Sequence, residues 1–314
     1  MKVLLATDGS DAAAEAAVWV RHLSKRNPVD VTVMTVRYGE SRYAMHPWYH
    51  EWISREQESA RSLLQSVQKI LGEHCRRIEL VDAEGPTVAT IVEHAKEADI
   101  DLVVMGATGH SAAARWLLGS VSDGVANNVD CSVLVVRPGS SATAAEASLP
   151  QKVLVGFDES KASRQAVDEL CRLDLDPNTR IALLGVIERP PMIFDNRGET
   201  TLGELFPGQK EALTNSALAI ASQVAEVVPQ TDAEVTIAEH AGEALIRKAA
   251  RGCFDLVVVG DNGHGFISQW LVGSTTKYVL RHSPCSVWVS RQHHRSTDDS
   301  QATKSPAVAE AGVS

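Results

Sequence analysis

One glycine motif occurs twice in this chain, and each copy directly follows a run of residues that is typical of a buried strand. The spacing is G-x2-G-x9-G-S, with Gly106, Gly109, Gly119 and Ser120 in the first copy and Gly260, Gly263, Gly273 and Ser274 in the second. The preceding runs are D-L-V-V-M at 101–105 and D-L-V-V-V at 255–259. Glycines between a strand and a helix let backbone N–H groups approach a phosphate, and the helix N-terminus adds partial positive charge. The repeated motif therefore predicts a phosphate-bearing ligand.

The two copies belong to a longer internal repeat. Residues 3–10 (V-L-L-A-T-D-G-S) correspond to 153–160 (V-L-V-G-F-D-E-S), and C-S-V-L-V-V-R at 131–137 corresponds to C-S-V-W-V-S-R at 285–291. Such internal similarity indicates a duplicated domain. We predict a first domain over 1–138, a linker of small polar residues over 139–151, a second domain over 152–291 and a disordered tail over 292–314.

Short β-branched runs alternate with amphipathic stretches in each repeat. In the first repeat we predict strands at 2–7, 31–37, 77–82, 101–106 and 132–137, and helices at 11–26, 51–74, 86–98 and 120–128. Ser10 or Asp11 would cap the first helix, and Gly85-Pro86 and Gly242 would mark the turn into the third helix of each repeat. The alternation predicts an α/β fold of two tandem doubly wound domains, each a five-stranded, mostly parallel sheet with helices on both faces.

Composition excludes several classes of function. The chain has 314 residues, of which 44% are hydrophobic and 22% charged, as in soluble globular proteins of about two domains. A net charge of −10 disfavours a nucleic-acid partner, and neither a membrane-spanning run nor a signal peptide is evident. Five cysteines without C-x-x-C spacing favour reduced thiols. We expect a cytoplasmic protein with no nucleic-acid or membrane partner.

An aspartate ends the first strand of each repeat, Asp8 in one and Asp158 in the other. Ligands of doubly wound folds bind beyond the carboxyl ends of the strands, where the strand order reverses. A carboxylate there can accept hydrogen bonds from a ribose hydroxyl or an adenine amine. Alternatively, each aspartate caps the following helix or forms an Asx turn.

The fourth helix of each repeat would begin at the motif serine, Ser120 or Ser274. The serine hydroxyl and the N–H groups that follow can bind phosphate oxygens, and a further hydroxyl lies two positions on. Those following residues are Val121, Ser122, Thr275 and Thr276. Helix capping uses the same N–H groups, so capping and anion binding are compatible interpretations.

The sequence leaves alternatives open for the residues on the adenine side of the site and for the positions at which the two repeats differ. Val36 and Val186 end the second strands and could pack against adenine or simply belong to the core. Arg115 could contact phosphate or lie on the surface, and the second repeat has Gln269 in the corresponding segment. Thr7, beside Asp8, is a further candidate for ligand contact; in the second repeat Phe157 replaces it and could narrow the second site.

Sequence signatures of catalysis are scarce. The chain has no G-x4-G-K-[ST] loop, no G-x-S-x-G elbow and no H-E-x-x-H pair. His110 and His264 each follow a motif glycine and could orient a water or serve as turn residues. We assign no catalytic residue and no protein metal site.

The strand-one aspartate, the glycine motif, the C-S-V-L-V-V-R closing strand and the five-strand layout together resemble the universal stress protein family, over residues 1–138 and 152–291. The resemblance implies a Rossmann-like fold of the adenine nucleotide alpha-hydrolase type, and ATP as the ligand, with or without Mg²⁺. It also implies that the aspartates contact adenine or ribose, that the valines line the base pocket and that the motif residues cradle the phosphates.

The resemblance further implies contact between the fifth strands, which a tandem chain could make internally through 132–137 and 286–291, and a homodimer of such chains. We therefore expect a stress-response protein that binds ATP, hydrolyses it slowly or not at all, and acts through an unknown protein partner. Two alternatives remain open at this point: an adenine-nucleotide hydrolase or nucleotidyl-transfer enzyme, and a scaffold without nucleotide.

Overall fold

The structure is a computed structural model that describes residues 1–37, 48–109, 118–138, 151–173, 175–189, 206–261 and 272–291. The first repeat comprises β1 (Lys2–Ala6), α1 (Asp11–Arg26), β2 (Asp30–Arg37), α2 (Tyr49–Leu71), β3 (Arg77–Glu84), α3 (Thr87–Glu97), β4 (Leu102–Gly106), α4 (Ser120–Asn128) and β5 (Ser132–Val136). The second comprises β6 (Lys152–Phe157), α5 (Lys161–Cys171), β7 (Arg180–Glu188), α6 (Phe206–Ala225), β8 (Gln230–Ala238), α7 (Ala241–Gly252), β9 (Leu256–Gly260), α8 (Ser274–His282) and β10 (Ser286–Ser290).

These strands form one ten-stranded sheet in the order β3-β2-β1-β4-β5-β10-β9-β6-β7-β8. Neighbouring strands within each repeat are parallel, whereas β5 and β10 are antiparallel, with Leu134 opposite Trp288. The predicted α/β fold is confirmed. The predicted contact between the closing strands of one chain is also confirmed.

Helices cover both faces of the sheet, and alternate residues of each central strand enter different cores. Val3 and Leu5 of β1 lie in a core with residues of α1, α2, α5 and α6, whereas Leu4 lies in a core with residues of α3, α4, α7 and α8. All three side chains are fully buried. Burial on both faces explains why the strands read as continuous apolar runs instead of alternating with polar residues.

The predicted helices and strands of the first repeat are confirmed, with small shifts in their bounds. The second helix begins two residues earlier than expected, and its predicted last turn is a 3₁₀ turn over Gly72–His74. Gly242 does not lie in the turn before α7, as expected, but inside the first turn of that helix. A Cβ on Gly242 would approach Tyr278 Cδ1 to 2.8 Å, so glycine is required there for the packing of α7 against α8.

The closing strands use both of their hydrogen-bonding edges within the chain. β5 pairs with β4 and β10, and β10 pairs with β5 and β9. The expectation of a homodimer through these strands therefore needs correction, because neither strand has an open edge for a second chain. A homodimer through another surface remains a prediction.

Candidate functional site

The strand order reverses between β1 and β4 in the first repeat and between β6 and β9 in the second. β2 lies on the far side of β1, and β5 lies on the far side of β4, so the connections that follow these strands diverge and leave a crevice at their carboxyl ends. The loop after β1 contains Asp8, and the loop after β4 contains Gly109. The structure thus places the two predicted walls of the site at one crevice.

Asp8 lies directly against the second motif glycine. An ideal Cβ on Gly109 would come within 2.5 Å of Asp8 Oδ2, closer than any side-chain carbon can lie. The carboxylate is exposed at the surface of the crevice. Glycine at this position therefore lets the loop after β4 approach the aspartate without displacing its carboxylate.

Both aspartates also form the Asx turn that was the alternative interpretation. The Ser10 N–H donates to Asp8 Oδ1 at 3.0 Å, and the Ser160 N–H donates to Asp158 Oδ1 at 3.1 Å. The turn holds each carboxylate in a defined orientation at the strand end. An oriented carboxylate is compatible with contact to a ribose hydroxyl or an adenine amine, and that contact stays a prediction.

Ser10 joins the two loops of the first crevice. Its Oγ accepts from the Ala13 N–H at 3.3 Å, which caps α1 as predicted, and donates to the Thr108 carbonyl oxygen at 3.2 Å. Ser160 caps α5 in the same way by accepting from the Ser163 N–H at 3.1 Å. The helices that follow the first strand of each repeat therefore have their own side-chain caps.

The helices that follow the glycine motifs begin differently. Gly119 and Gly273 are the N-cap residues of α4 and α8, and among the described residues no side chain makes a capping hydrogen bond to either helix. The first-turn N–H groups belong to Ser120, Val121, Ser122, Ser274, Thr275 and Thr276. Ser120 and Ser274 are exposed. These N-termini thus present the N–H groups and positive dipole end that an anion needs.

Backbone hydrogen bonds hold each N-cap glycine against the loop that follows the fourth strand. The Gly119 N–H donates to the Ala107 carbonyl oxygen at 2.8 Å, and the Gly273 N–H donates to the Asp261 carbonyl oxygen at 2.7 Å. The same geometry in both repeats positions the helix start beside the strand end. The third motif glycine of each repeat, Gly119 or Gly273, therefore lies beside the loop that follows the first motif glycine, as the spacing predicts.

The first motif glycine of each repeat has a packing role that the sequence did not indicate. A Cβ on Gly106 would come within 2.8 Å of Ala12 and Ala13 at the start of α1, and a Cβ on Gly260 would come within 2.7 Å of Ala162 Cβ. The missing side chain therefore permits close approach of strand and helix. This accounts for glycine at both positions whether or not a phosphate is bound.

The second predicted hydroxyl of each repeat is buried. Ser122 Oγ donates to the Gly106 carbonyl oxygen at 2.8 Å, and Thr276 Oγ1 donates to the Gly260 carbonyl oxygen at 2.6 Å. Both side chains are about 5% exposed or less. These hydroxyls connect the start of the helix to the strand end and do not present a donor at the surface of the crevice.

Val36 and Val186 lie at the carboxyl ends of β2 and β7, half-buried, and pack against the core that contains α4 and α8. Thr7 is buried, and its N–H donates to the Met34 carbonyl oxygen at 2.9 Å. Phe157 is 2% exposed and packs in the core shared with α5. The expectation that Phe157 narrows the second crevice is therefore not supported.

Several predicted residues lie outside the described ranges, namely Arg115, Gly263, Gln269, His110 and His264. Their assignments remain predictions. Within the described ranges, no group of three or more His, Cys, Asp or Glu residues is arranged to hold a metal ion. No helix in those ranges is both long and apolar enough to cross a bilayer.

The junction of the repeats contains reciprocal arginine contacts that the sequence interpretation missed. Arg137 Nη2 donates to the Leu280 carbonyl oxygen near the end of α8, and Arg291 Nη1 donates to the Val129 carbonyl oxygen just after α4. Both side chains are buried, and burial lowers the pKa of each guanidinium group. Each arginine follows the closing strand of its own repeat and binds the carboxyl end of a helix in the other.

A buried carboxylate also joins the repeats. Glu169 of α5 accepts from Ser132 Oγ at 2.7 Å and from Trp288 Nε1 at 3.1 Å, so it contacts both closing strands. Burial raises the pKa of Glu169, and the hydrogen bonds that it accepts partly oppose this effect. A cavity of about 940 Å³ lies beside it, between residues of α1 and α5. That cavity includes none of the predicted ligand-binding residues and is separate from the candidate sites.

Comparison with known proteins identifies the relatives of this chain. The sequence model of the universal stress protein family matches residues 1–137 and 150–291. A universal stress protein of Mycobacterium tuberculosis is 27% identical over 305 residues, which cover 92% of this chain and 97% of that protein. The solved structure of a universal stress protein from Archaeoglobus fulgidus has a TM-score of 0.67 at 20% identity, covering 92% of this chain and 98% of its own. A universal stress protein solved in complex with cAMP covers 44% of this chain and 98% of its own at 25% identity, with a TM-score of 0.37.

Proposed function

The chain belongs to the universal stress protein family, and we propose that it is a cytoplasmic, ATP-binding stress-response protein with one adenine-nucleotide site in each repeat. The observation that carries this proposal is the approach of Gly109 to the carboxylate of Asp8, in the same loop whose Ala107 carbonyl oxygen accepts from the N–H of Gly119, the N-cap of α4. One wall of the crevice offers an oriented acceptor, and the other offers uncapped N–H groups. A nucleotide has the matching groups, donors on its sugar and base and negative charge on its phosphates.

In this proposal Asp8 and Asp158 accept hydrogen bonds from the sugar or base, and Val36 and Val186 pack against the base. The motif residues hold the phosphates through backbone N–H groups and the exposed hydroxyls of Ser120 and Ser274. The phosphates also supply oxygen ligands for Mg²⁺, which usually binds through them and through water. Binding requires no catalytic residue, so occupancy would act by changing the shape of the protein or its affinity for a partner.

Isothermal titration of the nucleotide-free protein with ATP tests the proposal. We expect two ATP per chain, and one ATP per chain in each of Asp8→Ala and Asp158→Ala. Asp176→Ala is a matched control, because Asp176 is an exposed carboxylate that pairs with Arg26 away from both crevices. Unchanged stoichiometry in both crevice variants would overturn the site assignment.

The enzyme alternative is decided by a steady-state ATPase assay. Turnover of many ATP per minute, lost in Asp8→Ala and Asp158→Ala, would favour a hydrolase over a binding protein. The scaffold alternative is decided by thermal unfolding with and without Mg-ATP, because a ligand that binds only the folded state raises the apparent stability. An unchanged unfolding temperature at millimolar Mg-ATP would favour the scaffold.

The remaining parts of the proposal concern surroundings and assembly. All five cysteines are free thiols, which fits a reducing compartment such as the cytoplasm. A homodimer would form through surfaces other than β5 and β10, and sedimentation equilibrium would detect it. A single species at the monomer mass of 33.8 kDa at all concentrations would exclude the homodimer.

A further inference from the structure

The geometry points to negative coupling between the two proposed nucleotide sites, carried by the ion pair of Arg291 with Asp261. This inference rests on the proposed function, because it describes how occupancy of one site changes the other. The N-terminus of α4 forms the proposed anion-binding side of the first site, and Arg291 binds the carboxyl end of the same helix.

Arg291 is 7% exposed, and its guanidinium group lies at the carboxyl end of α4. Its Nη2 donates to the Ala126 carbonyl oxygen at 2.5 Å, and its Nη1 donates to the carbonyl oxygens of Val129 at 3.0 Å and Cys131 at 3.5 Å. The carbonyl oxygens of Ala126 and Val129 carry the partial negative charge of the helix end, so the guanidinium stabilises α4 in its present position.

The same side chain reaches the loop of the second site. Arg291 Nε lies 3.8 Å from Oδ2 of Asp261, the residue that follows the first motif glycine of that repeat. The Asp261 carbonyl oxygen accepts from the N–H of Gly273, the N-cap of α8, at 2.7 Å. The Asp261 N–H donates to the Ser290 carbonyl oxygen at 3.1 Å. One guanidinium thus contacts the helix of the first site and the loop of the second.

The repeats differ at this link. Arg137 corresponds to Arg291 and binds the Leu280 carbonyl oxygen near the end of α8, but Ala107 occupies the position that corresponds to Asp261. The first repeat therefore has no carboxylate at this position to attract Arg137. The ion pair with Asp261 therefore has no counterpart at position 107.

The sign of the coupling follows from charge. A nucleotide at the second site brings negative phosphates to the start of α8, whose N-cap Gly273 is hydrogen-bonded to the Asp261 carbonyl oxygen, and like charges repel. The Asp261 carboxylate moves away from the phosphates and pulls on the Arg291 guanidinium, which also binds the carboxyl end of α4. Occupancy of the second site then weakens the hydrogen bonds from Arg291 to α4 and lowers the ATP affinity of the first site. By linkage, occupancy of the first site lowers affinity at the second by the same factor.

Calorimetric titration with ATP measures this coupling. The Asp158→Ala variant gives the affinity of the first site while the second site is empty. The two-site titration of the unmodified protein gives the affinity of the first site while the second is filled. We expect about fivefold weaker binding at the first site when the second is filled, within the usual range of coupling between sites. In Asp261→Ala, which introduces the residue found in the first repeat, the ratio of the two affinities should fall to within about twofold of one.

Two further variants keep the test decisive. Asp261→Asn retains the shape of the side chain and should abolish the coupling as Asp261→Ala does. Asp176→Asn breaks another ion pair between the repeats, Arg26 with Asp176 at 3.4 Å, and should leave the coupling unchanged. Equal affinity of the first site in Asp158→Ala and in the two-site titration of the unmodified protein, or coupling that persists in both Asp261 variants, would overturn the inference while ATP binding itself stands. No ATP binding in any variant would overturn the proposed function, and the coupling with it.

Discussion

Replacing Gly109 with alanine places a methyl group against the carboxylate of Asp8. The added Cβ would lie 2.5 Å from Asp8 Oδ2 on the unchanged backbone, whereas ordinary van der Waals contact begins at 3.4 Å. Either the loop after β4 or the aspartate must therefore move by almost 1 Å. Because the Asx turn through the Ser10 N–H holds Asp8, the displacement disturbs the acceptor proposed for the sugar or base.

The size of the effect follows from the hydrogen bonds that depend on this carboxylate. A hydrogen bond to a charged group contributes about 1.5–3 kcal/mol. Losing one such bond at the first site corresponds to a loss of affinity of roughly 10- to 150-fold, since about 1.4 kcal/mol is a factor of ten. The second site contains none of the altered atoms. Its ATP affinity should therefore change only through the proposed coupling between the two sites.

Isothermal titration with ATP in the Asp158→Ala background isolates the first site and measures this loss. Gly208→Ala is a matched control, because a Cβ on that glycine of α6 meets nothing within 4 Å. Urea unfolding of each variant separates lost affinity from lost stability. Undiminished ATP affinity in a folded Gly109→Ala protein would refute the assignment of this crevice as the nucleotide site.

Three further predictions concern the junction and the cysteines. Burial raises the pKa of Glu169 above its ordinary value of 4.5. The protonated side chain therefore contributes its full stability to the folded protein below pH 4.5, and this contribution is lost as the pH rises through the pKa of the folded state. Urea unfolding should show Glu169→Gln gaining stability relative to the unmodified protein from about pH 5 to about pH 8, and a constant difference would contradict this. Arg291→Ala leaves the carbonyl oxygens at the end of α4 without their donor and should cost about 3–5 kcal/mol in urea unfolding; a loss below about 1 kcal/mol would refute that role. Burial raises the pKa of Cys131 to about 12 and that of Cys285 to about 11, so a thiol reagent near neutral pH should label exposed Cys253 first. Fast labelling of the two buried thiols in the native protein would contradict this.

Local patterns were sufficient to predict most of the fold. Apolar runs such as that of β1 and capping residues such as Ser10 act over a few residues, so their structural consequences can be read along the chain. The contact between β5 and β10 was implied by the resemblance to the universal stress protein family, and the residue pattern alone did not predict it. The prediction that Gly242 lies in a turn was wrong, because this helix position needs glycine for its contact with Tyr278, a residue distant in sequence.

The candidate site was predictable in position but not in the role of every residue. Gly106 and Gly109 look alike in the motif, yet one permits helix packing and the other permits approach to Asp8. Both uses require only the absence of a Cβ, so spacing cannot distinguish them. Ser122 looked like a ligand hydroxyl, but its distance from the Gly106 carbonyl oxygen depends on how α4 meets β4.

The junction was the least predictable part. An arginine after each closing strand was visible in the sequence, but its acceptors are backbone carbonyl oxygens in the other repeat, which carry no side-chain signature. Glu169 resembled any charged residue on a helix, and its burial follows from its position against Ser132 and Trp288. Such non-local contacts appear only once the two repeats are joined through β5 and β10.

Each repeat is proposed to hold one adenine nucleotide, and mass spectrometry of the small molecules released from the denatured, purified protein tests this. Calorimetric titration of the nucleotide-free protein then gives the number of sites. We expect an adenine nucleotide among the released molecules and two ATP bound per chain. No released nucleotide, together with no heat of binding at millimolar ATP, would refute the proposed nucleotide sites.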